Sequence, residues 1–554
     1  MRGSKLKFGS MAAAFAVCLL VAGAATAGYQ GARANDTLLY AGASDPTYLD
    51  PALVSDGESF RVTKQIYDSL VDFKPGTTKL VPSLARKWAV AKDGKTWTFW
   101  LRGGVKFHDG TAFNATAVCA NFNRWYNFSG PFQDASATFY YQAIFSGFKK
   151  NESPDLGAPL YKSCSAAGPL RAVVKLNRRN GPFLASLVLS AFAMGSPTAM
   201  NKYGANQGTI RNGVFYPTGT YAFSHPTGTG PYILEKWTVG ESVILKRNPK
   251  YWGPKAKLAR VVIRPIGDNT ARVQALQSGE VFAMDLLPPQ LVATVKGNSR
   301  LKVLNRPSFN IAYVTLNSAK KPTDDVRVRR AVAYGLNRQL VVRSFYAGRA
   351  QVAHEFMPPT LFGYAPNVTR YSFNPTKAKQ LLREAGCGPP CKVEFWYPTG
   401  VSRPYMPDPK ANFEAFKASL EQSGFEVESK SAPWRPDYVK HVNEGTAGNM
   451  NLIGWTGDYA DPDNFIGTFF QGYNPAFGER NAKLDNLLNR AEQEVNLKKR
   501  IALYQAANRL IAQFVPGVPY AHSLPALGMQ KRVKGYFTSP IGTDDFVTVS
   551  LGGQ

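Results

Sequence analysis

The chain has 554 residues, 44% of them hydrophobic and 19% charged, with no low-complexity tract and no internal repeat. That length exceeds what one compact core serves, so two or more lobes are expected. The formal charge of +28 admits an anionic partner such as nucleic acid, a cell-envelope polymer or a phospholipid surface. The Lys and Arg residues are scattered, however. The densest patches, Arg327-Val328-Arg329-Arg330 and Lys498-Lys499-Arg500, lie in amphipathic helical patterns. No basic tail, zinc-finger spacing or aromatic RNA-binding signature accompanies them, so no nucleic-acid partner is expected.

In chain order, Arg2, Lys5 and Lys7 form a basic leader, an apolar stretch runs from Phe8 to about Ala24, and A-x-A sites end at Ala27 and Ala34. This pattern predicts a secretory signal peptide over 1–27, with cleavage after 34 as the alternative. An uncleaved membrane anchor is the competing reading. Cys18 lies inside the apolar stretch rather than after it, so no lipoprotein site is expected. No later run is long and apolar enough to span a bilayer. The mature chain is therefore expected to be exported, periplasmic or otherwise extracytoplasmic.

Leu38, Leu39 and Tyr40 predict a strand. A loop from Pro51 to Gly57 and a helix from Ser59 to Leu70 follow. Trp97, Phe99 and Leu101 alternate as a half-buried strand. His108, beside Asp109-Gly110 and with no second His or Cys nearby, reads as a turn residue rather than a ligand or base. Asn374-Pro375 caps a helix whose apolar face is Ala378, Leu381, Leu382 and Ala385 and which Gly386 ends. Asp408-Pro409 opens a second helix, stopped by Gly424, and Phe425 to Glu428 alternates as a strand. Leu503, Ala507, Leu510 and Phe514 mark a further helix, closed by Pro516-Gly517. Helices alternating with short strands predict α/β lobes.

Cys119, Cys164, Cys387 and Cys391 remain after leader removal. An even number in an exported chain predicts two disulfides, Cys387 with Cys391 and Cys119 with Cys164. The competing reading is a metal site, but the five His residues lie near neither pair and show no ligand spacing. No metal or other cofactor is expected.

The segment Gly454 to Phe465 carries the most information. It puts Asp458, Asp461, Asp463 and Trp455 on a Gly/Pro-broken stretch directly after the apolar Met450, Leu452 and Ile453. This predicts a strand ending in a loop that presents acid to a cleft. For Asp461 and Asp463 a plain turn or N-cap role is an equal alternative. Enzyme signatures are missing: there is no G-x-S-x-G, H-E-x-x-H or Walker A pattern. Ser146-Gly147-Phe148-Lys149 fits S-x-x-K without its companion K-T-G box. Gly228-Thr229-Gly230-Pro231 starts like a dinucleotide loop but lacks the third glycine, and Pro231 removes a donor.

Several motifs in order resemble the family 5 extracytoplasmic solute-binding proteins of peptide and nickel ABC importers. They are Leu84-Ala85-Arg86-Lys87-Trp88, the stretch from Asp93 to Gly110, Gly228 to Tyr232, Arg247 to Trp252, Asp325 to Ala331, and Ala378 to Gly386. Arg403-Pro404-Tyr405-Met406-Pro407 and Trp455-Thr456-Gly457-Asp458 look most like the cleft segments of dipeptide binders. The resemblance implies a type II periplasmic-binding-protein-like α/β fold of the large cluster C type, two lobes about a hinge and three discontinuous domains. Domain I would comprise 36–75, 228–310 and 520–554, domain II 76–227, and domain III 311–519. It implies a non-enzymatic, monomeric component that captures dipeptides or short oligopeptides by hinge closure and passes them to a membrane permease. The same fold with a nickel chelate, heme or oligosaccharide, and an exported hydrolase, are the alternatives. The implied ligand residues are Asp458 for the ammonium, Arg403 for the carboxylate, and Ser55, Gly57, Trp455, Gly457 and Tyr405 around them. The stretch from Cys119 to Cys164 is longer than in the dipeptide binders, so it is expected to cover the cleft mouth and alter ligand size.

Overall fold

The computed structural model describes residues 36–478 and 480–552. The expected leader lies outside the described residues. Three sheets of four or more strands organise the described residues, beside three two-stranded ones. A seven-stranded sheet has the order Tyr232–Thr238, Ser242–Arg247, Arg260–Pro265, Thr37–Gly42, Ala283–Leu287, Ala526–Gln530, Leu301–Asn305. A six-stranded sheet has the order Ala350–Val352, Gly517–Ser523, Asn310–Leu316, Met450–Thr456, Cys391–Thr399, Phe425–Pro433. A four-stranded antiparallel sheet joins Ala85–Val90, Thr96–Leu101, Arg171–Leu176 and Tyr161–Ala166.

The sheets therefore draw on discontinuous stretches of chain. Two passages link the seven- and six-stranded sheets, one between Asn305 and Asn310 and one between Ser523 and Ala526. They are tied to each other, since Arg306 N donates to Pro525 O at 2.9 Å and Ser523 N to Asn310 Oδ1 at 3.0 Å. Arg306 is buried and anchors its passage to the first lobe through Asp285 at 2.8 Å and Asp544 at 2.7 Å. Paired short crossings of this kind suit a hinge. The strand Gly517–Ser523 lies in the six-stranded sheet, and the chain passes to the seven-stranded sheet after it.

Local signals explain most element ends. Asn374 Oδ1 accepts Lys377 N at 2.9 Å to open the helix Pro375–Glu384, and Asp408 Oδ1 accepts Ala411 N at 3.0 Å to open Pro409–Gln422. Gly386 and Gly424, with φ of 72° and 93°, supply the left-handed turns after them. The helix expected over 59–70 runs instead from Gly57 to Ile66, capped by Asp56. It stops early because Gly230 N takes the carbonyl of Ile66 at 2.9 Å. A Cβ at Gly228 would lie 2.3 Å from Ile66 O, so the Gly228-Thr229-Gly230 run serves close packing on this helix end.

Cys119 on the helix Ala115–Tyr126 is bonded to Cys164 on the strand Tyr161–Ala166, and Cys387 to Cys391. Arg329, in one of the two basic patches, is buried and donates to the carbonyls of Phe514 and Val515 at the end of the helix Leu497–Phe514. Part of the positive charge thus closes helix termini. Among the described residues, no helix is long and apolar enough to cross a membrane.

Candidate ligand site between the lobes

Met450–Thr456, Cys391–Thr399 and Phe425–Pro433 are adjacent and mutually parallel in the six-stranded sheet. Their carboxyl ends therefore lie on one edge, the usual place for a ligand cleft in an α/β sheet. Asp458 follows the first strand, the Arg403–Met406 turn follows the second, and Trp434 follows the third. Arg403 and Met406 exchange backbone hydrogen bonds of 3.1 and 3.0 Å, which fixes the turn.

Asp458 Oδ1 accepts the hydroxyl of Tyr140 at 2.8 Å, and Oδ2 accepts Asn464 Nδ2 at 3.2 Å. Its backbone N–H donates to Asn464 Oδ1 at 2.7 Å, so the loop holds its own acid in place. No cation pairs with Asp458 among the described residues. Burial pushes its carboxyl up to about 6, against the pull of the two hydrogen bonds.

Tyr140 comes from the opposite lobe, on the helix Ala135–Phe145 between Cys119 and Cys164. Its ring packs 5.6 Å from that of Phe60, and its hydroxyl reaches across to the acid. Burial raises the Tyr140 phenol well above its usual range. The charges of Asp458 and Asp56 add to that rise, and Arg403 opposes it. Of these, Asp458 is in direct contact with the hydroxyl. Tyr459, beside Asp458, is buried in the aromatic cluster of that opposite lobe, so the lobes are packed together here.

The Arg403 guanidinium lies 4.8 Å from the ring centroid of Trp434. Its Nε is buried without a hydrogen-bond partner, and no carboxylate pairs with it among the described residues. Arg403 also lines a small cavity at the lobe crossings with Pro404, Ser523 and Pro525. Tyr405 is buried with its ring against Gly454, where a Cβ would fall 2.4 Å from Tyr405 Cδ2. Burial raises the Tyr405 phenol, and Arg403 beside it lowers it.

The other expected residues occupy varied positions. Trp455 is half-buried, edge-on to Phe469 at 5.9 Å, with Nε1 3.4 Å from Asn464 Oδ1. Gly457 donates its N–H to Phe309 O at 2.8 Å, and a Cβ there would meet Phe309 at 2.3 Å, so it fills a packing contact. Ser55 and Gly57 are exposed and flank Asp56. The Asp56 carboxylate itself caps Ser59 N at 2.9 Å.

Asp461 and Asp463 have structural partners. Asp461 is buried in a bidentate pair with Arg500 at 2.7 and 2.8 Å and caps Asp463 N. Asp463 accepts the Tyr459 hydroxyl at 3.1 Å, and burial together with nearby Glu492 pushes it up to about 8. Sequence reasoning missed Tyr140 and Trp434. Only the length of the Cys119–Cys164 stretch pointed toward the former. Among the described residues no group of three or more His, Cys, Asp or Glu is placed to hold a metal ion.

Two hinged α/β lobes with uncompensated charges at the strand ends between them define a solute-binding protein. Residues 79–477 match the family described as bacterial extracellular solute-binding proteins, family 5 Middle. The chain belongs to that family, whose members act outside the cytoplasm. It is 31% identical over 531 residues to the dipeptide-binding protein of Escherichia coli, covering 93% of this chain and 94% of that one. It is 32% identical over 536 residues to heme-binding protein A of Haemophilus influenzae, covering 94% and 93%. Among solved structures, the periplasmic binding protein DppA of Helicobacter pylori in complex with peptide STSA superimposes with a TM-score of 0.79 at 30% identity, covering 93% of this chain and 98% of that one.

Proposed function

We propose that this protein is the substrate-binding component of an ABC importer for dipeptides and short oligopeptides, with Asp458 receiving the peptide ammonium and Arg403 its carboxylate. The observation that carries this reading is the pair of opposite charges, neither with a partner of opposite sign among the described residues, set after neighbouring parallel strands, with Asp458 hydrogen-bonded to Tyr140 of the facing lobe. A zwitterion with its charges a few Å apart complements that pair. A carboxylate has about four lone-pair positions. Tyr140 and Asn464 use two of them, which leaves room for an ammonium. The planar fork of Arg403 suits a carboxylate, and Trp434 holds its plane. Closing the lobes excludes water and strengthens both contacts.

Ser55, Gly57 and Tyr405 would line the same cleft, and Trp455 would form a wall. The chain acts as a monomeric binder, not an enzyme, and hands its ligand to membrane permease subunits. Domain I would comprise 36–75, 228–310 and the end of the chain, domain II 76–227, and domain III 311 through Ser523. The peptide-binding relatives from Escherichia coli and Helicobacter pylori support the ligand class.

Calorimetric titration of the purified, refolded protein with a panel of dipeptides tests this reading. Binding at micromolar concentration with little dependence on side chains is expected, and no binding to any di-, tri- or tetrapeptide would refute it. Tyr140→Phe removes one hydrogen bond to Asp458 and should weaken every peptide about fivefold, the worth of roughly 1 kcal/mol.

The heme-binding relative supports a second reading. None of the five His residues lies in the segments 399–406 or 454–465 that form the cleft edge. Titration with hemin, followed by absorbance, separates the two: a saturable shift that dipeptides do not displace would favour heme.

A further inference from the structure

A second charged cleft lies at the junction of the lobes and shares no residue with the Asp458–Arg403 site. Gly181 marks the junction. Its N–H donates to Glu492 O at 2.6 Å, and Asn180 Nδ2 donates to Glu492 Oε1 at 2.8 Å. A Cβ at Gly181 would lie 2.6 Å from Glu494 O and 2.9 Å from the guanidinium carbon of Arg500. Only glycine allows the backbone of one lobe to seat so closely on the helix Ala482–Gln493 of the other.

Beside this contact opens a cleft of about 630 Å³. Arg179 lines it from the first lobe; Arg490, Lys499, Glu494, Asn486 and Gln493 line it from the second. Three cations thus face one carboxylate. Glu494 Oε1 already accepts the N–H groups of Val495 and Asn496 at 2.9 Å each. Arg179 donates only Nε, to Asp93 O at 3.0 Å, and its stem lies on the turn at Gly94. Among the described residues none of the three cations is ion-paired within 4.0 Å.

We propose that this cleft is a second ligand site, for a phosphate-class oxyanion held between Arg179 on one lobe and Arg490 and Lys499 on the other. Guanidinium forks and an ammonium match several oxygens of one tetrahedral anion, and the amides of Asn486 and Gln493 add neutral donors. Because the walls belong to different lobes, an anion here binds the closed arrangement better than an open one and favours closure by that difference. The site stands apart from the peptide reading and does not depend on what the central cleft holds.

Two sources of phosphate fit, free phosphate and an anionic lipid headgroup. The full mature chain is titrated with inorganic phosphate by calorimetry and, separately, sedimented with phosphatidylcholine vesicles containing phosphatidylglycerol. Arg179→Gln and the double variant Arg490→Gln/Lys499→Gln alter exposed side chains on opposite walls, and melting curves check that both fold. Each should weaken binding about tenfold, the size of a lost charge-assisted hydrogen bond. Free phosphate binding with this sensitivity identifies the solute; sensitivity confined to the vesicles identifies a headgroup. No phosphate heat at ~10 mM, where only affinities weaker than about 3 kcal/mol escape, together with vesicle binding indifferent to both variants, would overturn the site. Indifference to Arg179→Gln in both arms would overturn its two-lobed construction.

Discussion

Asp458→Asn should lower dipeptide affinity by about two orders of magnitude or more at neutral pH. Removing one partner of a buried charge pair costs roughly 2–5 kcal/mol, and a micromolar complex has only about 8 kcal/mol in all. The substitution keeps the size of the side chain, removes the charge and replaces one acceptor oxygen with an NH2 donor. Acidification should act in the same direction. The Asp458 carboxyl sits at about 6 in the folded protein against an ordinary 3.8. The peptide ammonium needs the ionised form, so affinity should be greatest near pH 7, fall about tenfold per pH unit below 6, and decline again near 8 as the peptide's own amine loses its proton. Stability runs the other way. A carboxyl whose folded value is raised contributes stability that is complete below its unfolded value and is lost as the pH rises through the folded one. The unliganded protein therefore gains from this group on acidification while its affinity falls. Titration calorimetry across pH 5–8 on the native protein and the Asn variant checks both; a native profile parallel to that of the variant would exclude Asp458 as the ammonium receptor.

Arg403→Ala should abolish measurable binding of free dipeptides and leave the melting temperature nearly unchanged. The guanidinium joins no ion pair among the described residues, and its Nε has no partner. Its loss therefore breaks no salt bridge and opens no charged void in the fold. What it removes is a guanidinium that stacks on Trp434 at the strand end next to the Asp458 loop. Arg403→Lys should recover little, because an ammonium lacks the planar fork and stacks less well on Trp434. A large drop in melting temperature with unchanged affinity would instead assign Arg403 to the fold.

The two lobes and their α/β character were legible because caps and periodicities act locally. Asn374-Pro375, Asp408-Pro409 and the alternation at Trp97, Phe99 and Leu101 each fix an element through its immediate neighbours. Asp458 stood out in the sequence because three acids on a broken loop after a buried strand are costly unless something uses them. Asp461 shows the other outcome of the same reasoning, since its N-cap role was foreseen but its bidentate pairing with Arg500 was not. That arginine sits in a run which reads from sequence as part of an amphipathic helix. Gly457 lies against Phe309, a contact 148 positions away that no local pattern reports. Tyr140 stayed hidden for a similar reason. It is 318 residues from Asp458 and reaches it only across the closed cleft.

The central claim is that the site recognises the two charged ends of a short peptide. Affinity for one dipeptide is to be compared with that for its N-acetyl and C-amide derivatives, by calorimetry under identical conditions. Each blocked form should bind about a hundredfold more weakly than the free zwitterion, because a buried Asp458 or Arg403 would be left unpaired. Equal affinity for free and blocked forms would contradict the account.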